Sequence, residues 1–135
     1  MKAGNGVHQA KRLQVLIPAD AAQLANLRQV QREWATRMGL DDQTQEILLL
    51  AVQEAAANAV EHAYWSSRQA GIVEISFWLD SDAVNVKVVD SGAWRPPKTD
   101  SPLRGHGLTM MRSLIDFVSI DPGPDGTTVF LRHSL

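Results

Sequence analysis

A chain of 135 residues with a formal net charge of -2 and a pI near 6.0 is sized for one domain, and its charge balance does not point to nucleic acid or an acidic membrane as the main partner. It has no cysteine, which excludes disulfides, thiolate catalysis and zinc–sulfur sites and fits a reducing, cytoplasmic setting. Hydrophobic residues at 44% and charged residues at 21% are ordinary for a globular protein, and no apolar run approaches the ~18 residues of a membrane span.

Residues 1–10 are rich in glycine and polar side chains and read as a flexible tail, with a single domain over 11–135. From Arg12 to Ile17, Leu13, Val15 and Ile17 alternate with other residues, the pattern of a short strand that Pro18 ends. Asp20 is placed to cap a helix over Ala22–Met38, whose apolar positions Leu24, Leu27, Val30 and Trp34 follow helical spacing, with Gly39 as its stop. Asp41 or Asp42 caps a second helix reaching about Tyr64, with Gln45 or Glu46 placed for a capping box. That helix is apolar round much of its circumference, so burial is expected.

Ile72–Leu79 and Ala83–Val89 both alternate and are joined by Asp80-Ser81-Asp82, a hairpin. Asp90 to Arg104, with Gly92, Pro96, Pro97 and Pro102, reads as an irregular loop long enough to act as a lid. A short helix follows over Gly107–Leu114. Two strands, Asp116–Ile120 and Thr127–Arg132, close the chain around Pro122-Gly123-Pro124-Asp125-Gly126. The sum is an α+β two-layer sandwich in which helices cover one face of a mixed, mainly antiparallel sheet.

Three places carry residues suited to chemistry. On the second helix Glu54, Asn58 and His62 are spaced by four and form one polar line, following Ile47, Leu50 and Ala51 on nearly the same side. Carboxylate and carboxamide oxygens suit Mg²⁺ or the activation of a hydroxyl, although the same line also reads as an ordinary solvent face. Asp90-Ser91-Gly92 leaves a strand with a carboxylate able to accept from an exocyclic amine such as that of adenine, or forms a plain turn. Gly105-His106-Gly107, followed by Leu108, opens a helix whose first N–H groups favour phosphate, with Arg104 alongside as a cation or a surface residue. Each is weak alone; their order and structural contexts are hard to reach by chance.

Together these segments resemble the GHKL (Bergerat) ATPase superfamily, and within it the anti-sigma-factor serine/threonine kinases of bacterial stress and sporulation control. Glu54-Ala-Ala-Ala-Asn58-Ala-Val-Glu-His62-Ala-Tyr64 resembles the N box, Asp90-Ser-Gly92 the first glycine box, Gly105-His-Gly107-Leu-Thr-Met-Met the second, and Gly126-Thr127-Thr128-Val129 the entry to the last strand. The resemblance implies ATP and Mg²⁺ as cofactors, with Asn58 on the metal and Glu54 as base or orienting group for a substrate hydroxyl. Asp90 would read the adenine amine with Thr127 nearby. Gly92, Arg104, Gly105, His106, Gly107 and Leu108 would line the phosphate side.

The resemblance further implies a Ser or Thr on an anti-sigma-factor antagonist as substrate, a sigma factor as second partner, and a homodimer without direct nucleic-acid or membrane contact. One position departs from the family pattern: the second glycine of its first box is Trp94 here. That residue packs over nucleotide, anchors the lid or weakens binding, or is simply a partner-facing or core aromatic. The alternative function is accordingly a catalytically weak module that sequesters a sigma factor or antagonist on the same fold. A histidine-kinase catalytic domain is a third reading, disfavoured by the short lid and the lack of a dimerisation helix with a phosphoacceptor histidine.

Overall fold

The computed structural model describes residues 11–66, 71–90, 107–123 and 126–135, with the side chains of 62–66, 107 and 108 excepted. The tail over 1–10, the expected lid residues Gly92, Trp94 and Arg104, Gly105 and His106 of the second glycine motif, and part of the turn at Pro124-Asp125 lie outside them.

Strand β1 spans Arg12–Pro18. Asp20 accepts from the backbone N–H of Ala22 at 2.9 Å, but what it caps is a 3-10 turn, Ala21–Gln23, before helix α1 begins at Leu24–Arg37. The buried line of α1 is Leu27, Gln31, Trp34 and Ala35, so a glutamine occupies an inward position while Val30 is only half-buried. Gly39 does stop the helix. Its φ is 77°, its N–H donates to Thr36 O and the Leu40 N–H donates to Ala35 O, both at 3.1 Å, so two end carbonyls gain partners through a left-handed residue.

Helix α2 spans Asp42–Ser66. Asp41 is its cap, accepting from the Thr44 N–H at 2.8 Å. The third residue after the cap is therefore Thr44, so neither Gln45 nor Glu46 closes a capping box. Gln45 instead donates through Nε2 to the Leu40 carbonyl at 2.8 Å. Burial along α2 is extensive, taking in Leu48, Leu49, Ala51, Val52, Ala55, Ala56, Ala59 and Val60. The run of alanines lets the helix lie close against the sheet.

Strands β2 (Ile72–Leu79) and β3 (Ala83–Asp90) form the hairpin, α3 spans Gly107–Leu114, and β4 (Phe117–Pro122) and β5 (Thr127–Ser134) complete the sheet. Asp116 stays out of β4, its carboxylate accepting from the Ser134 N–H at 2.8 Å. The strand order is β1-β2-β3-β5-β4, and all four pairings are antiparallel, with no parallel pair among the described residues.

Register turns the alternation of each strand into continuous rows across the sheet. Leu13, Phe77, Val86, Leu131 and Val118 form one row, and Val15, Ile75, Val88, Val129 and Ile120 the next. These rows face the helices. Trp34 and Phe77, ring centroids 5.5 Å apart, tie α1 to the sheet, and α2 packs over β2 and β3 with α3 beside it. The described helices all pack on this one face.

Candidate functional site

The third row on the helix-facing side reads Ile17, Val73, Asp90, Thr127 and Pro122. The parity that buries Val84, Val86 and Val88 thus carries Asp90 onto the same face, and that of Val129 and Leu131 carries Thr127 there. Asp90 and Thr127 are direct cross-strand partners, each only 3% exposed. A carboxylate and a hydroxyl side by side in an otherwise apolar row cost free energy unless something hydrogen-bonds to them. Thr127 Oγ1 is buried without a partner.

Glu54 and Asn58 lie one turn apart on α2, the helix packed against β3. Glu46 and Leu50, earlier on the same line, are exposed, whereas Glu54 and Asn58 are half-buried at the edge of the alanine stripe. The line is therefore not a uniform solvent face. Glu54 Oε1 is buried and has no partner, which is costly for a carboxylate oxygen. Thr127 Oγ1 on the sheet and Glu54 Oε1 on the helix packed over it are thus two buried oxygens of the kind a polar ligand can satisfy.

Gly107 is the first residue of α3, and α3 packs beside α2, so the helix N-terminus expected to meet phosphate begins on the element next to Glu54 and Asn58. The positions of Gly92, Arg104, Gly105 and His106 lie outside the described residues, as do the side chains of His62 and Leu108. Among the described residues no cluster of three His, Asp or Glu side chains is placed to hold a metal. A Mg²⁺ shared between one carboxamide and nucleotide phosphates needs no such cluster. A surface groove of about 490 Å³ on α1, lined by Ala25, Arg28, Gln29, Arg32 and Glu33, shares no residue with this site.

Sequence reading ended β3 at Val89 and so missed that Asp90 still belongs to the buried row. Extending the valine alternation by one step would have found it. It also missed the polar cluster on the opposite face, where Asn85, 1% exposed, donates to Asp80 at 3.1 Å and accepts from Arg132 at 2.9 Å. Asp80 also accepts from Arg132. That guanidinium, with further donors at Asp82, Asn85 and Ala83, holds the Asp80 carboxyl well below the usual carboxylate range.

Residues 17–133 match the histidine kinase-like ATPase domain family. The chain is 31% identical to the serine-protein kinase RsbW of Bacillus velezensis, over 90% of this chain and 84% of that protein. It is 28% identical to the serine-protein kinase RsbW of Bacillus mycoides, over 90% and 83%. Among solved structures, the RsbU and RsbW domains of Rv1364c from Mycobacterium tuberculosis superpose with a TM-score of 0.74 at 28% identity, covering 90% of this chain and 32% of that longer one. The histidine kinase domain of a blue-light activated kinase from Erythrobacter litoralis gives 0.59 at 22% identity, over 91% of this chain and 67% of that one, a likeness of fold.

Proposed function

Because the chain belongs to the histidine kinase-like ATPase family and is similar to its RsbW serine-protein kinases, we propose that it is an anti-sigma-factor kinase. It binds ATP and phosphorylates a Ser or Thr of an anti-sigma-factor antagonist. In its other state it holds a sigma factor away from RNA polymerase, and phosphorylating the antagonist stops that protein from releasing it. The cytoplasm is its place of work; among the described residues no helix is long and apolar enough to cross a membrane.

The observation that carries the reading is the pairing of buried, polar Asp90 and Thr127 on a row facing the helix that bears Glu54 and Asn58. Asp90 would accept from the exocyclic amine of adenine, and Thr127 beside it would supply a second hydrogen bond. The phosphates would be met by the N–H groups at the start of α3, which begins at Gly107; Arg104, Gly105, His106, Gly92 and Leu108 are the further candidates that the family resemblance supplies for them. Asn58 would hold Mg²⁺, which when bound would neutralise phosphate charge.

Glu54 takes the proton of the substrate hydroxyl as that oxygen bonds to the γ-phosphorus and the bond to the β,γ-bridging oxygen breaks, leaving ADP. Such a transfer asks mainly for positioning and charge neutralisation, so no covalent nucleophile is needed. A second copy of the chain completes the working unit.

The test is Glu54→Ala. Transfer of phosphate from ATP to the antagonist is expected to vanish while calorimetric ATP·Mg²⁺ binding persists. Equal transfer by both proteins refutes the role of Glu54. Trp94, where the family pattern has glycine, favours a second reading, a module that sequesters its partner without turnover. Absence of ATP binding in the millimolar range would decide for that module.

A further inference from the structure

Among its described residues, helix α2 hides its large apolar side chains with one exception. Leu48 and Leu49 are buried and Ile47 packs half-buried against the core, whereas Leu50 is 49% exposed. The other exposed large apolar residues among those described are Leu16, Ile72, Phe117 and Leu135. The strand register puts the first three on the sheet face away from the helices, and Leu135 is the last residue of the chain. Leu50 is thus the one such side chain that the described helices present. A single exposed leucine is ordinary, so its place decides what it means.

That place is one turn ahead of Glu54. Residues four apart on a helix stand one above the other with Cβ atoms about 6 Å apart, and each side chain leans toward the helix N-terminus. Glu54 therefore leans toward the turn that carries Leu50, with Ile47 on the other flank of the same line. Ala57, three residues further on, is small and half-buried. The helix surface leading to the carboxylate is apolar, and the nearest charge on it is Glu46, exposed one turn before Leu50.

We infer that Leu50 is a specificity-determining contact for the protein substrate, receiving an apolar side chain two residues from the phosphoacceptor Ser or Thr. The inference rests on the proposed role of Glu54 in taking the hydroxyl proton, and adds the side chain that selects what is brought there. The inner side of α2 is packed over β2 and β3, so a segment that brings a hydroxyl to Glu54 has to lie along the outer side, where Leu50 stands. An extended segment repeats on one face about every 7 Å, close to the ~6 Å that separates Leu50 from Glu54. With the acceptor at Glu54, its neighbour two positions away falls on Leu50. An apolar side chain there takes the exposed half of Leu50 out of water, whereas a carboxylate is desolvated against leucine and approaches Glu46.

The test varies antagonist concentration at saturating ATP·Mg²⁺ and, separately, measures antagonist binding by calorimetry with a non-hydrolysable ATP analogue. Leu50→Ala should raise KM for the antagonist about fivefold to tenfold and Leu50→Asp about a hundredfold, with kcat unchanged, because the contact is the same in ground and transition states. Leu50→Met should keep most of the parent's KM. ATP binding and melting temperature should stay close to the parent's, since the side chain is at the surface. Replacing the antagonist's apolar residue two positions from the acceptor by alanine should raise KM with the parent kinase and add little more with Leu50→Ala, the coupling that direct contact produces. An unchanged KM for Leu50→Asp, a loss confined to kcat, or fully additive effects of the two alanine changes overturns the contact. A parent that binds the antagonist but transfers nothing refutes the role of Glu54 alone, and weaker calorimetric binding by Leu50→Asp then still supports the contact. A parent that neither binds nor transfers overturns both.

Discussion

Thr127→Val separates the cost of the nucleotide pocket from its use. Thr127 is 3% exposed and its Oγ1 has no partner, in a row whose other strand positions include Ile17 and Val73. Valine keeps the branched Cβ that suits a strand and replaces the hydroxyl by a methyl of nearly the same size. Removing a buried, unpaired hydroxyl should stabilise the nucleotide-free protein by about 1–2 kcal/mol. For a domain of this length that is a rise in melting temperature of about 3–6 °C. The nucleotide in turn loses one neutral hydrogen bond, worth ~1 kcal/mol, or about fivefold in dissociation constant.

The two signs are opposite, and the assays are thermal unfolding without nucleotide and calorimetry with ATP·Mg²⁺. Thr127→Ser, which keeps the hydroxyl, should retain most of the affinity while losing the stability gain. If the valine variant is less stable than the parent, the hydroxyl already has a partner in the free protein. If its affinity is unchanged, Thr127 does not face the nucleotide. Either result refutes the reasoning.

Three further outcomes follow from the same geometry. Asp90→Asn removes the buried carboxylate expected to accept the adenine amine and should weaken ATP binding about 10- to 100-fold by calorimetry, more than Thr127→Val does, because its hydrogen bond is charge-assisted. Gly39→Ala meets no neighbouring atom within 4 Å, so only its φ of 77° opposes it; the midpoint of urea unfolding should fall by an amount equivalent to about 1 kcal/mol. Asp80 has a folded pKa below its unfolded one, first through Arg132, so its stabilising contribution is full above the ordinary carboxylate range and is lost as pH falls below ~4. The stability gap between the parent and Asp80→Asn, followed by urea titration, should therefore narrow as the solution is acidified, and a constant gap would contradict the Asp80–Arg132 pairing.

Local physics accounts for what was readable. The α1 stop at Gly39 was legible because a left-handed residue there is cheapest as glycine. The hairpin was legible because Val73, Ile75 and Phe77 alternate against Val84, Val86 and Val88 across a short polar turn. The capping box was misread because two adjacent aspartates compete for one cap. Only the backbone path decides that Asp41 takes it, which leaves Thr44, not Gln45, at the third position. Val30 was expected inward and Gln31 is the more buried, in line with Leu27 and Trp34, whose ring meets Phe77 of the sheet.

The order of Glu54 and Asn58, then Asp90 and Gly92, then Gly105 and Gly107 is a property of the sequence alone, because each motif follows from residue type and local spacing. From that order the family and its nucleotide chemistry could be read without coordinates. What the sequence left open was whether Glu54 and Asn58 form a solvent face and whether Asp90 sits in a plain turn. Those questions concern strand register and helix placement, which depend on pairings between residues far apart in the chain. The pairing of β3 with β5 sets Asp90 beside Thr127 in a buried row, and α2 packing over β3 buries one oxygen of Glu54. The same register gathers Trp78, Phe130 and Phe117 on the far side of the sheet, an arrangement no local window of the sequence contains.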